Sequence, residues 1–579
     1  MKKILMAAVE AKPYATAGGT SAVVGTLSNV LHRRGYDVRL VLPYYSSLIR
    51  VPDYQIEYVT RLDVPVGREP IPPIPEDWPE SLRSYLQRRT EPPPQAFVYQ
   101  AHPANNDSSP EGVPVYFVGG DPFHYFARAN GKEVPLYPPL EEISVDAGRL
   151  YAFFCRAVIE IIAEFIQQGW RPDIVHCHDW PAGLIPAYLK CAQECAIPIQ
   201  DVKTVMTIHN SSDIVYQGGW FDPEILHYAG LTQSMFDYGQ VQHQSSVNFM
   251  KTGIVFADAV NTVSEGYAAE IMQSAEESYL DINGRRRTYC YSGGLDYVWS
   301  QYQIDLIGIR NGIDYGYAPN TIGQGEDWAL VDQDWRANFA PAEGRSVAEW
   351  AYVATDPQLW DKKRALKRYL QERCNRFLRT DLEISEEIPV IAVRSRLVEQ
   401  KGFDLILRGL QEWDFEHPVQ FIIIAWGEDL YAVQYRQQIE DLSKQYPKQI
   451  AFSRSWRDIP ETLHYAGADM LLMPSLFEPC GLPHMMALRY GTIPIVRRTG
   501  GLADVVQEFN PIAGTGNGFD FIAPDHREML RAIQRAIQVY CSPEHWQSLV
   551  HNAIQARDRR GDDFSWETAV NRYVDMLYS

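Results

Sequence analysis

A chain of 579 residues is longer than one hydrophobic core can organise, so at least two domains are expected. With 46% hydrophobic and 22% charged residues it has the balance of an ordinary soluble globular protein, and no apolar run approaches a membrane span. The formal charge of -20 argues against a nucleic-acid groove or an anionic membrane as the main partner, so neither is expected.

The apolar run Lys3 to Val9 is cut by Glu10 and Lys12, too short for a signal peptide, and predicts a first buried strand. Gly18 and Gly19 form a glycine turn, followed by an amphipathic helix from Ser21 to Arg34 and a strand from Val38 to Leu42. This is a βαβ unit without the spacing of a dinucleotide fingerprint. The proline-rich interval Pro70 to Pro110 shows no apolar period and is expected to be a surface insertion or mobile loop. A helix from Asp146 to Gln168 leads to strands Asp173 to His178, Val205 to Ile208 and Leu306 to Ile309, the last followed by a turn at Asn311 and Gly312.

From Pro389 the plan repeats: strand Val390 to Val393, basic loop Arg396 to Gly402, helix Phe403 to Glu412, strand Val419 to Ala425. Met470 to Met473 is a further strand, ending in a turn that holds Glu478 between Ser475 and Gly481. Helix Pro483 to Arg489 and strand Thr492 to Val496 follow, and Thr499, Gly500 and Gly501 open another helix. The pattern predicts an α/β protein of two doubly wound halves with ligands at the carboxyl ends of the strands. The closing stretch, Trp566 to Leu577, could pack on either half.

Helix amino termini and paired glycines suit a phosphate, and Arg396 to Lys401 or Arg497 with Arg498 could supply a basic pocket. The alternative is that Gly500 and Gly501 only turn the chain and Glu478 is a solvated loop residue. His176 and His178 share a strand face, but no third and fourth ligands stand nearby, so no metal site is expected. His209 alone would ordinarily be structural. Asp332 and Asp334 form a DxD, expected in a solvated polar loop. The eight cysteines form no CxxC pair, which predicts free thiols in a reducing, cytoplasmic compartment.

The segments SRLVEQKGFDL (Ser395 to Leu405), GADMLLMPSLFEPCGL (Gly467 to Leu482) and YGTIPIVRRTGGLADVV (Tyr490 to Val506) closely resemble bacterial glycogen synthases and plant starch synthases. So do HCHDW (His176 to Trp180), TIHN (Thr207 to Asn210), YQG (Tyr216 to Gly218), RNGID (Arg310 to Asp314) and FSW (Phe564 to Trp566). The resemblance implies a GT-B fold, two Rossmann-like domains facing each other across a cleft. It would place the acceptor-side domain in residues 1–308, the nucleotide-sugar domain in 309–561, and a closing helix, 562–579, back on the first. It also implies transfer of glucose from ADP-glucose, with UDP-glucose as the other donor considered, to the non-reducing end of an α-1,4-glucan. Retention at the anomeric carbon, no metal and no cofactor come with it.

By the same resemblance, Arg396 and Lys401 bind the donor phosphates and Glu478 holds the donor glucose hydroxyls. His209 stands by the reacting sugar, and Asp179 lines the same pocket. Gly18, Gly19, Asn311, Thr499, Gly500 and Gly501 are implied to bind substrate, and Trp456 to stack on the base. Departures from the family concentrate in the first half. Its Lys-Thr-Gly-Gly-Leu-Ala-Asp turn is here Thr16 to Ala22, without the lysine and the aspartate, and Pro181 replaces a histidine. In the second half Pro483 and His484 replace Thr-Gln, and Met486 stands where the wider GT-B pattern has a second glutamate. Two alternatives therefore stay open: a glycosyltransferase with another acceptor, or a weakly active glucan- or nucleotide-sugar-binding regulator.

Overall fold

The computed structural model describes residues 1–16, 18–45, 54–66, 94–103, 112–120, 145–194, 199, 202–212, 219–315, 319–322, 324, 326–336, 346–427, 430–455 and 458–579. Two open sheets organise them. The first has nine strands, in the spatial order Leu306–Gly308, Ala259–Thr262, Lys203–Ile208, Ile174–His178, Lys3–Ala7, Asp37–Pro43, Val115–Gly120, Gln95–Pro103 and Tyr54–Asp63. Its central strands run parallel and are buried on both faces, which is why KILMA and IVHCH read as continuous rather than alternating patterns. The predicted strands and helices of this half recur with ends shifted by a few residues at most, as in helices Gly19–Arg33 and Val145–Gln167.

One expectation is overturned at the edge of this sheet. Within the interval from Pro70 to Pro110, Gln95–Pro103 is a strand, antiparallel to both Tyr54–Asp63 and Val115–Gly120. Ala96 and Val98 are buried on one face, while Phe97 and Tyr99 are half-buried on the other, and an apolar run this short inside a proline-rich interval is easily missed. Residues 67–93 and 104–111 of that interval lie outside the described residues.

The second sheet is wholly parallel, ordered Ile450–Ser453, Gln420–Trp426, Val390–Arg396, Met470–Met473, Ile493–Arg497, Phe519–Phe521. Counted along the chain this is 3-2-1-4-5-6, the doubly wound order. The Asp332 and Asp334 pair is helical rather than in a loop, at the end of Glu326–Asp334. Asp332 accepts from the Val347 N–H at 2.7 Å, and Asp334 pairs with Arg373 at 3.0 Å and Arg376 at 2.8 Å. Both carboxylates thus tie helices together.

The closing helix, Trp566–Met576, packs on the first half. Its Trp566, Val570 and Tyr573 share a core with Val24, Leu27 and Leu31 of the first helix. Arg34 donates to Asn571 Oδ1 and to the Glu567 carbonyl, each at 2.7 Å.

Candidate active site

At the centre of the second sheet, Val390–Arg396 and Met470–Met473 lie side by side, but the chain leaves them toward opposite edges. Their following loops diverge and open a crevice at the carboxyl ends. Arg396 ends the first of these strands. The next turn, Glu399–Lys401, closes at Gly402 with φ 71°, where a Cβ would meet the Pro474 carbonyl oxygen at 2.1 Å. Only glycine fits there, and the close approach holds the Lys401 loop against the loop after Met473.

Lys401 Nζ consequently reaches Glu478 Oε2 at 2.6 Å, and Ser475 Oγ donates to the same oxygen at 2.9 Å. Glu478 is buried, and Arg396, Lys401 and Ser475 line one cavity of about 170 Å³. The alternative of a solvated Glu478 is therefore excluded. Two cations and a carboxylate from loops 77 residues apart meet at the switch point of the sheet.

The turn at Thr499 to Gly501 differs from expectation. Thr499 Oγ1 and the Gly500 N–H both donate to Glu270 Oε1, at 2.9 and 2.8 Å, and the Gly501 N–H donates to the Glu478 carbonyl at 3.0 Å. A Cβ at Gly500 or Gly501 would meet the carbonyl oxygens of Glu478 or Cys480 at 2.1 and 2.2 Å. These glycines seat the backbone of the Glu478 loop, and the helix end expected to cradle a phosphate holds the Glu270 carboxylate instead. Burial pushes Glu270 up to about 7, partly countered by the Gly500 N–H.

The first sheet has its own switch point, between Lys3–Ala7 and Ile174–His178. Asp179 follows the latter strand with φ 59°, a conformation an aspartate seldom adopts and one that concentrates at functional sites. It is fully buried, and its Oδ1 accepts the His209 N–H at 2.8 Å. Burial pushes its carboxyl up to about 8 against the pull of the His209 and Asn210 N–H groups. His209 Nε2 lies 3.0 Å from His178 Nδ1, and burial lowers His209 to about 3, so its imidazole is neutral. His176, by contrast, uses its two nitrogens on Tyr578 and Thr207, at 2.7 and 2.6 Å.

Gly18 and Gly19 begin the first helix, but the Gly18 N–H donates to Glu10 at 2.9 Å, and a Cβ at Gly19 would meet nothing within 4 Å. The turn is thus occupied by a carboxylate of this chain. Asn311 is buried, its backbone against Cys480, and follows Arg310, which pairs with Asp558 at 3.2 Å. Trp456 lies outside the described residues, as do Tyr216 to Gly218.

Sequence reasoning missed Glu10 and Glu270. Glu10 registered only as a charge breaking an apolar run. Glu270 lies 230 residues from the N–H it accepts, and no local pattern announces such a pairing.

Comparison with known proteins finds two family models along the chain. Residues 3–286 match the family model described as starch synthase catalytic domain, and residues 375–555 match glycosyl transferases group 1. A glycogen synthase of Fervidobacterium nodosum is 32% identical over 579 residues, covering 99% of this chain and 98% of the relative. One from Clostridium kluyveri is also 32% identical, covering 100% and 99%. Among solved structures, the catalytic domain of starch synthase IV from Arabidopsis thaliana, bound to ADP and acarbose, superposes with a TM-score of 0.72 at 24% identity, covering 99% of this chain and 98% of that one. Sucrose-phosphate synthase from Thermosynechococcus elongatus superposes at 0.51 and 14% identity, covering 100% and 98%. Two open α/β sheets, each with its own switch point, and the full-length likeness to the starch synthase structure give the GT-B fold, and by full-length identity the chain belongs to the glycogen synthase and starch synthase family.

Proposed function

We propose that the chain transfers glucose from ADP-glucose to the non-reducing end of an α-1,4-glucan, with retention and without a metal. Full-length similarity to curated glycogen synthases supports the activity, and the starch synthase IV domain, whose structure holds ADP and acarbose, supports the substrate class. The observation that carries the chemistry is the Lys401 to Glu478 ion pair at 2.6 Å, with Arg396 in the same cavity. In this assignment residues 1–308 take the acceptor, 309–561 the donor, and 562–579 return to the first lobe.

As the bond from C1 of glucose to the diphosphate oxygen breaks, negative charge collects on the leaving group. Arg396 and Lys401 are fixed cations suited to receive it, an interaction stronger in the transition state than in the ground state. Transfer of Lys401 from Glu478 to phosphate frees the Glu478 carboxylate to accept hydrogen bonds from glucose hydroxyls. His209, neutral with a pKa of about 3, can contact the sugar without carrying charge. Asp179, held up at about 8, is protonated at neutral pH and is a poor nucleophile there. Front-face attack through an oxocarbenium-like state is therefore favoured over a covalent intermediate: the acceptor hydroxyl oxygen bonds to C1, and its proton passes to the departing phosphate oxygen.

The test supplies purified protein with labelled ADP-glucose or UDP-glucose and with glycogen or maltooligosaccharides. Incorporation from ADP-glucose is expected, and none from either donor overturns the assignment. Thr16 and Ala22 in the first turn motivate the second possibility, a different acceptor. An acceptor screen separates the two, because exclusive elongation of long glucans removes it. Binding of ADP-glucose with no turnover in the presence of primer would instead mark a regulatory homologue.

A further inference from the structure

The carboxyl ends of the second sheet face the crevice of Lys401 and Glu478, and its amino ends border a larger space. Pro389, Val419 and Asp469 each stand one residue before a strand, and all three line an open-sided cavity of about 1000 Å³. That volume is at the upper end of the roughly 300–1,000 Å³ of small-molecule sites.

Three indoles line it, Trp360, Trp413 and Trp546, together with Tyr540. Two of the indoles are held by packing: Trp413 meets Phe421 edge-on at 5.6 Å, and Trp546 meets Tyr540 edge-on at 4.9 Å. Several polar and charged groups of the lining are matched locally. Lys367 pairs with Asp469 at 2.7 Å, His417 with Asp414 at 3.0 Å, and Arg364 with Glu386 at 3.8 Å. With five carboxylates against three lysine or arginine side chains the wall is slightly acidic and rich in donors and acceptors, which disfavours a polyanion and suits a neutral, hydroxyl-rich ligand. A pyranose ring has an apolar C–H face that lies on an indole and a hydroxyl rim that bonds to carboxylates, cations and the exposed amides Gln534 and Gln538.

We propose that this cavity is a second glucan-binding site, holding a segment of α-1,4-linked glucose residues at the end of the sheet away from the transferase crevice. The identity of the glucan rests on the function assigned above. The strand Val390–Arg396, of seven residues, separates the two sites by about 23 Å. A polymer anchored at the rear raises the local concentration of its own chain ends at the crevice, whereas a short acceptor cannot engage both.

The experiment is electrophoresis of the full-length protein through native gels containing glycogen, run beside glucose-transfer assays with glycogen and with maltotriose. The protein is expected to be retarded by glycogen, and Trp360→Ala/Trp413→Ala to lose that retardation. Its KM for glycogen should rise about tenfold while kcat and the maltotriose reaction stay unchanged. Because Trp413 also packs on Phe421, a second variant, Gln534→Trp, obstructs the cavity from an exposed position and should lose retardation as well. Trp360→Phe/Trp413→Phe, which keeps aromatic faces, should retain it. Equal mobility of the original chain and both cavity variants in glycogen overturns the proposal, whether or not glucose is transferred. Failure of transfer to every acceptor, with retardation still dependent on the tryptophans, overturns the assigned activity and leaves the glucan site standing.

Discussion

Lys401 is the residue whose removal is most informative. Lys401→Ala deletes the cation proposed to face the leaving diphosphate and leaves the buried Glu478 carboxylate without its 2.6 Å partner. The expected loss in kcat/KM is about a hundredfold to a thousandfold, the cost of one preorganised transition-state contact, and steady-state kinetics with ADP-glucose measures it. Asp179 makes a different prediction. Its folded value of about 8 lies above the ordinary carboxylate value of about 4, so between those pH values the folded protein holds a proton that the unfolded chain has released. Stability from this group falls as pH rises from about 4 to about 8. Asp179→Asn should flatten that part of the Tm against pH curve, and an unchanged slope would show that the carboxyl titrates normally. Arg396, Lys401 and Glu478 were legible by motif, because the loops that hold them are short and local. The partner of Gly500 was not: Glu270 competes for that N–H only after the halves of the chain meet.

Among the elements, the hairpin of Glu276–Leu280 and Arg286–Cys290 joins the halves in a way the sequence did not suggest. It belongs to the first half yet grips the second. Tyr289 donates to the Leu476 carbonyl at 2.8 Å, the Ile282 N–H donates to Asp404 at 2.7 Å, and Glu277 pairs with Arg497. Arg497 is 1% exposed, so removing its carboxylate strands a buried cation. Glu277→Ala should destabilise by about 2 kcal/mol, less than the 3–5 kcal/mol of a fully buried pair because Glu277 is partly exposed. A lower Tm together with faster proteolysis near the hairpin would register it. Parallel strands and their helices were readable because a sheet covered on both faces demands continuous apolar runs. Gln95–Pro103 escaped because its apolar run, Ala96 to Tyr99, is short and lies inside a proline-rich interval.

For the whole molecule, pH dependence is set by buried histidines opposing buried carboxyls. His176, His209, His464 and His484 are each lowered to about 3 by burial, so unfolding takes up protons below about 6.5 and the stability they confer is lost as pH falls from about 6.5 toward 3. Asp179 at about 8 and Glu270 at about 7 act in the opposite sense as pH rises. Maximum stability is therefore expected near pH 6.5, with the steeper decline on the acid side, and thermal unfolding from pH 4 to 8 would show it. The closing helix is the other global tie: truncation after Phe564 removes Tyr578 from His176 and uncovers Val24 and Leu27, and should lower the Tm of the remaining chain. By itself the sequence determined two doubly wound halves, the family, and the loops that carry Arg396, Lys401 and Glu478, since periodicity and turn chemistry act over a few residues. Only the tertiary structure decided which half the last helix covers, which carboxylates occupy the glycine turns, and that a tryptophan-lined cavity lies at the amino ends of the second sheet. Those outcomes depend on groups hundreds of residues apart competing for the same buried hydrogen bonds and apolar surface, and no local pattern encodes that competition.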